Sequence, residues 1–189
     1  IKIENGLLRL FSSILSFSTF VKESIVYKHY IPTLITLISN SNYLLDILVR
    51  NPEYIYWLLT NGGLNNKLNR NELSSEIKKN LSVYSSFNSK VNFLIRLKRR
   101  EILKIGARDL NHLDSIVETT LQLSDLAEEL LSSLFNLCYN KVLSEYQITK
   151  TNRKYAVITL GKLGGRELNY SSDVDLIVIT SVGDSGPFL

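Results

Sequence analysis

Asp173 and Asp175 stand two residues apart at the head of Asp173-Val174-Asp175-Leu176-Ile177-Val178-Ile179-Thr180, whose β-branched run predicts a strand. Side chains alternate across a strand, so both carboxylates point to one face, with Cα atoms about 6.5–7 Å apart. The residues after them are apolar on both faces, as suits a central strand in a covered sheet. Two acids there carry an electrostatic penalty unless a cation compensates. Magnesium does so well, taking one or two carboxylates plus substrate phosphate oxygens. Two such ions about 3.5–4 Å apart clamp both sides of an in-line phosphoryl or nucleotidyl displacement. Taken alone, the D-x-D pattern equally marks an exposed strand end with solvated acids.

A dozen residues upstream lies Gly161-Lys162-Leu163-Gly164-Gly165. It follows Tyr155-Ala156-Val157-Ile158-Thr159-Leu160, a second expected strand, buried like the first. Gly164 and Gly165 remove side chains where backbone N–H groups could approach a phosphate, and Lys162 adds positive charge. The competing reading is that these glycines only cap a strand and permit tight packing. It weakens once Ser171, Ser172 and the two aspartates are counted with them. Two other phosphate loops fail: a P-loop needs Gly-Lys-Ser/Thr, but Leu163 follows Lys162, and G-x-G-x-x-G does not fit 161–166.

A third constellation is the stripe Arg96, Arg100, Lys104 and Arg108, four apart on one helix. It could face nucleotide phosphates or an acidic target, or be a solvated face with Glu101 and Asp109 as local partners. No aromatic platform is expected beside it, since Tyr54, Tyr56 and Trp57 read as packing, so nucleic acid is not an expected partner.

The whole chain has 189 residues, 44% hydrophobic and 21% charged, which provides a real core and argues against disorder. A net charge of +4 is too weak to imply nucleic acid. One cysteine and two histidines exclude a Cys/His zinc cluster, and Cys138, among apolar neighbours, reads as a buried thiol. No apolar run approaches about 18 residues, so no membrane association is expected and the cytoplasm is the default. Methionine is absent even at position 1, and the chain stops just after a strand, so a piece of a longer protein is expected.

The elements that must position these residues divide at a polar stretch, Thr149 to Lys154. Residues 1–150 read as a helical region and 151–189 as the start of a catalytic domain, an α+β arrangement. Leu7 to Phe20 recur at helical spacing, Pro32 opens a helix through Ile38, and Tyr43 to Val49 form another. Asn51-Pro52 breaks it, a helix through Trp57 follows, and Asn61-Gly62-Gly63 ends that one. Residues 64–72 read as a loop. Longer helices are expected over about 89–110 and over about 124–148, with Ser124 as N-cap of the second. After residue 154 the order is strand, glycine turn, short helix or turn over 166–170, strand.

The seventeen residues from Gly161 to Ile177, GKLGGRELNYSSDVDLI, closely resemble the catalytic signature of the glutamine synthetase adenylyltransferases, members of the polymerase-β-like nucleotidyltransferase superfamily. Arg99 to Leu110 is similar to that family's basic helix, Leu123 to Glu128 to its next helix start, and Ser41 to Glu53 to an early helical segment. The resemblance implies a large two-headed enzyme. One half moves AMP from ATP to a tyrosine of glutamine synthetase; the other, N-terminal, half uses phosphate to remove it as ADP. PII-type signalling proteins and glutamine set the balance. Asn169 before the aromatic Tyr170 favours the N-terminal, deadenylylating half.

By matching positions, Asp173 and Asp175 are implied as catalytic metal ligands for Mg2+ or Mn2+. Gly161, Ser171 and Ser172 would lie beside the nucleotide phosphates, with Lys162, Gly164 and Gly165 completing the loop. A third carboxylate is expected on a later strand; Asp184, in a Gly/Ser segment, is not a convincing one. The 189 residues alone are therefore expected to be inactive. The alternatives are the adenylylating half, another protein-modifying nucleotidyltransferase, or a non-catalytic helical interaction module.

Overall fold

The structure, a computed structural model, describes residues 2–14, 17–26, 28, 31–60, 64–148 and 154–181. The expected cap at 61–63, most of the polar stretch before 154, and Asp184 lie outside the described residues. The described chain is mostly helical and carries one small sheet, an α+β composition. Its elements are α1 (Lys2–Ser13), α2 (Phe17–Val26), α3 (Ile31–Asn40), α4 (Asn42–Arg50), α5 (Glu53–Thr60), α6 (Arg70–Val83), α7 (Phe87–Leu110), α8 (Ile116–Glu145), β1 (Tyr155–Thr159), α9 (Gly161–Gly164) and β2 (Leu176–Thr180). No described helix is long and apolar enough to cross a membrane.

Two compact units emerge, Ile1–Asn69 with Ile95–Gln122, and Arg70–Leu94 with Leu123–Leu189. In the first, Leu10, Leu37, Ile38, Leu45, Leu48, Ile55, Leu58, Leu103 and Ile105 form the core. Ser41 caps α4, its side chain accepting from the Leu44 N–H at 3.2 Å. Asn51 closes the same helix, its N–H donating to the Ile47 and Leu48 carbonyls, so the break at Asn51-Pro52 falls where expected. A buried polar knot fastens the loop after residue 63. Arg108 grips Asp114 with Nε and Nη2, both at 2.8 Å, and Nη1 donates to the Leu64 carbonyl. Gln122 donates to Asp114 at 2.9 Å while its carbonyl accepts from the Leu68 N–H at 2.9 Å. The paired Arg108 guanidinium holds the Asp114 carboxyl down to about 2, below its ordinary 3.8.

Beyond the exposed Arg96, the basic stripe is not a solvated face. Arg108 is buried in the knot, and Arg100 and Lys104 close on the buried Glu101 carboxylate at 2.7 Å each. The same two cations lie 5.0 and 5.7 Å from the Trp57 ring centroid. An aromatic surface thus does accompany the stripe, already occupied by the protein's own cations.

In the second unit, Leu73, Ile77, Phe93, Leu94, Leu123, Leu126, Leu163 and Leu168 are buried. α6 takes in residues 70–72, expected as loop; its apolar positions are few, and only Leu73 and Ile77 are buried. α8 starts at Ile116 rather than near 124. Its start is a capping box: the Ser115 N–H donates to Glu118 Oε2 at 2.8 Å and the Glu118 N–H to Ser115 Oγ at 3.3 Å. Ser124 is therefore a buried mid-helix residue, not an N-cap. Cys138 is exposed, not buried, since it lines an open groove between α8 and the sheet.

β1 and β2 pair antiparallel, Tyr155 with Thr180 through Thr159 with Leu176. Both strands are largely exposed: Ile177 is 45%, Val178 54% and Ile179 50% accessible. The expected burial on both faces is absent among the described residues; α9 packs at the end of β1 and α8 approaches one face. It does so through Tyr155, whose ring sits 4.9 Å from both Phe135 and Tyr139 and whose hydroxyl bonds Asn136 at 3.0 Å.

Candidate functional site

The residues 160–175 link β1 to β2 and return the chain to the end it left. The Leu160 N–H donates to the Asp175 carbonyl at 3.0 Å, adding one rung beyond the paired strands. That rung brings Asp175 beside Gly161. Gly161 has φ +57, and a Cβ there would stand 3.4 Å from Asp175 Oδ2, so the D-x-D acid overlies the start of the glycine turn. By alternation Asp175 shares the face of Ile177 and Ile179. The opposite face, with Val157, Thr159 and Leu176, lines a groove of about 620 Å³ against α8. β2 begins at Leu176, so Asp173 and Asp175 precede the strand rather than open it.

The expected glycine turn is itself the helix, α9, and of the helix or turn expected over 166–170 the structure has the turn. Gly164 is required by packing, since a Cβ would meet the Thr159 carbonyl oxygen at 2.6 Å. The N–H groups of Gly164 and Gly165 donate to the Leu160 and Gly161 carbonyls at 3.1 and 3.0 Å, so both are engaged inside the turn. The α9 end is a Schellman cap: the Arg166 N–H reaches the Leu163 carbonyl at 3.0 Å and the Glu167 N–H the Lys162 carbonyl at 2.7 Å. The left-handed residue of this cap is Arg166, with φ +57. Lys162 is exposed.

Asn169 organises the residues before the acids. Its side-chain oxygen accepts from the Ser171 N–H at 3.2 Å and from the Ser172 hydroxyl at 2.7 Å, and its own N–H donates to Ser172 Oγ at 3.2 Å. Ser172 is thus tied into the turn; Ser171 Oγ approaches the same oxygen at 3.4 Å. Two further anchors come from α8. The Leu168 N–H donates to Ser124 Oγ at 3.2 Å, and Arg166 pairs with Asp125. Sequence reading missed Ser124, Asp125 and Arg166 here, because partners 44 and 41 residues apart leave no local signal. Asn169 had one: Asn two residues before Ser is an Asx-turn pattern.

The donor set fits a hard divalent cation. Asp173 and Asp175 are exposed, and among the described residues neither carboxylate has an ion pair or hydrogen bond. No third His, Cys, Asp or Glu joins them among the described residues. Two free carboxylates are what magnesium takes when phosphate oxygens and waters complete its shell; a closed zinc site needs more ligands.

Residues 31–185 match the family model described as Glutamate-ammonia ligase adenylyltransferase. The chain belongs to that family. It is similar to a bifunctional glutamine synthetase adenylyltransferase/adenylyl-removing enzyme of Shewanella woodyi, 33% identical over 72% of this chain and 15% of that protein. The protein of the same name from Thioalkalivibrio sulfidiphilus is 27% identical over 85% of this chain and 17% of its own length. That of Pseudomonas putida is 30% identical over 72% and 14%. The chain therefore spans roughly a sixth of the length of these adenylyltransferase-family relatives.

Proposed function

We propose that this chain is part of a metal-dependent nucleotidyltransferase that controls glutamine synthetase, and that it comes from the deadenylylating half. Residues 1–150 form its helical region and 151–189 open the nucleotidyltransferase fold. The observation that carries this reading is the Gly161–Ile177 signature folded so that Asp175 overlies Gly161, in a chain of the adenylyltransferase family. Asn169 ahead of Tyr170 supports the deadenylylating half over the adenylylating one.

In this reading Asp173 and Asp175 hold Mg2+ or Mn2+, which supplies charge neutralisation at the phosphate oxygens. Gly161 and Lys162 receive the nucleotide phosphates, with Ser171 and Ser172 shaping the adjoining turn. A phosphate oxygen attacks the α-phosphorus of the tyrosine-bound AMP in line. The bond from phosphorus to the tyrosine oxygen breaks, that oxygen takes up the proton released by phosphate, and ADP leaves. The chain contributes mainly by positioning and by electrostatics at the developing charge. Glutamine synthetase is the substrate, a PII-type protein the regulator, and the cytoplasm the setting.

The test uses an enzyme of the relatives' length that carries this segment. With adenylylated glutamine synthetase, phosphate and Mg2+, ADP release is expected, and Asp173→Asn or Asp175→Asn should lower it at least 100-fold (about 3 kcal/mol). The 189 residues by themselves should show no turnover. Intact Mg2+-dependent activity in both aspartate variants would falsify the metal-ligand reading. AMP transfer from ATP that depends on these acids, without phosphorolysis, would assign the adenylylating half instead.

A further inference from the structure

We propose that Arg166 is a positioning residue for the Asp173/Asp175 pair, through an ion-pair clasp on α8; this rests on the metal-site reading above. Arg166 occupies the left-handed position of the α9 cap, φ +57, a conformation that favours glycine. Glycine fills the two positions just before it, 164 and 165, but not this one. The side chain at 166 does something a glycine could not. Its guanidinium pairs with Asp125, and its Nε stands 3.8 Å from Glu128 Oε1.

The clasp has a second jaw. Two residues beyond Arg166, the buried Leu168 donates its N–H to Ser124, the neighbour of Asp125 on α8. Residues 166 and 168 are therefore fastened to adjoining positions of one helix. Residues 169–172, folded around the Asn169 side chain, are all that separates this anchor from Asp173. At the far end the loop is held by the bond from Leu160 to Asp175. A segment pinned at both ends has few ways to place the carboxylates between the pins, and that restriction is what a two-ligand metal site needs.

The clasp is separable from the fold. The Arg166 side chain is 45% exposed, and Arg70 reaches the same two acids, 3.3 Å from Asp125 and 2.6 Å from Glu128, as well as Glu129 at 2.9 Å. Loss of Arg166 leaves Asp125 and Glu128 with a cation, so α8 and α6 retain their link while the loop keeps only the Leu168–Ser124 bond.

The experiment compares Arg166→Gly and Arg166→Lys in the relatives' length of enzyme. Glycine keeps the left-handed backbone and removes the guanidinium; lysine keeps a charge. For Arg166→Gly the expected results are an unchanged or raised thermal midpoint, faster amide exchange across 169–175, and a midpoint for Mn2+ binding, read by EPR, shifted upward about tenfold. Lysine should recover part of both losses. Wild-type exchange and Mn2+ binding in Arg166→Gly overturn the proposal, as does a lowered thermal midpoint with unchanged loop exchange. The Asp173→Asn/Asp175→Asn double variant separates the two readings. If it still binds Mn2+, the metal site itself is wrong; if it loses Mn2+ while Arg166→Gly binds normally, only the clasp is wrong.

Discussion

Gly164 shows how narrow the tolerance is at single residues. Its missing Cβ makes room for a backbone carbonyl, that of Thr159, which cannot swing aside as a side-chain tip can. Gly164→Ala is expected to destabilise the second unit by about 2 kcal/mol and to disturb the α9 turn, measurable by chemical denaturation. Asp114 makes a different residue-scale prediction. Its carboxyl is lowered to about 2, first by the Arg108 hydrogen bonds, and Glu118 is lowered to about 2, first by Lys67. The folded state thus holds these groups ionised where an unfolded chain would protonate them near pH 4. Their contribution is complete above that pH and is lost as pH falls through about 2. Melts at pH 5, 3 and 2 should show a progressive drop. Asp114→Asn should flatten it while costing about 3 kcal/mol at neutral pH, because buried Arg108 loses its partner.

At the scale of elements, caps decide more than periodicity does. Ser115 and Glu118 start α8 with reciprocal hydrogen bonds, nine residues before Ser124, the other N-cap candidate. Ser115→Ala should cost about 1 kcal/mol and fray the first turn, seen as faster amide exchange at 116–119; Ser124→Ala should leave that turn intact. Three described caps place a side chain where glycine is usual, at His112, Gln147 and Arg166, each with positive φ. Gln147 is exposed and closes α8 through the Ile148 N–H bond to the Leu143 carbonyl at 2.8 Å. Gln147→Gly should therefore stabilise the helix end by about 1 kcal/mol, raising the thermal midpoint.

For the molecule as a whole, the sheet is the exceptional surface. β1 and β2 expose Val157, Ile158, Ile177, Val178 and Ile179 on a two-stranded antiparallel pair, and a pair of strands is marginal without a partner layer. An apolar, edge-bearing sheet of this kind promotes self-association. The isolated 189 residues are expected to aggregate with rising concentration, by light scattering, and Ile177→Thr with Ile179→Thr should suppress this with little change in helix content by circular dichroism.

How much of this was legible in the sequence follows from the range of the forces involved. The helices from Pro32 to Trp57, the break at Asn51-Pro52 and the helix ending at Leu110 depend on periodicity and local caps, and they could be read directly. So could the two strands, which depend on short runs of β-branched residues, although their exposure and the place of Asp173 and Asp175 ahead of β2 could not. α6 could not, since most of its length carries polar residues and its few buried leucines and isoleucines say nothing of a partner. Nor could the engagement of Arg100 and Lys104 with Trp57, or of Arg166 and Leu168 with α8. Those contacts join positions some forty residues apart, and only folding chooses among the many cations and acids the chain offers. The residue types and spacing determined by themselves which acids could hold a metal and to which family the chain is similar. The tertiary structure decided which partners Arg166, Leu168 and Gly161 meet around those acids, because hydrogen bonds and ion pairs act only over a few ångströms and sequence order does not record those distances.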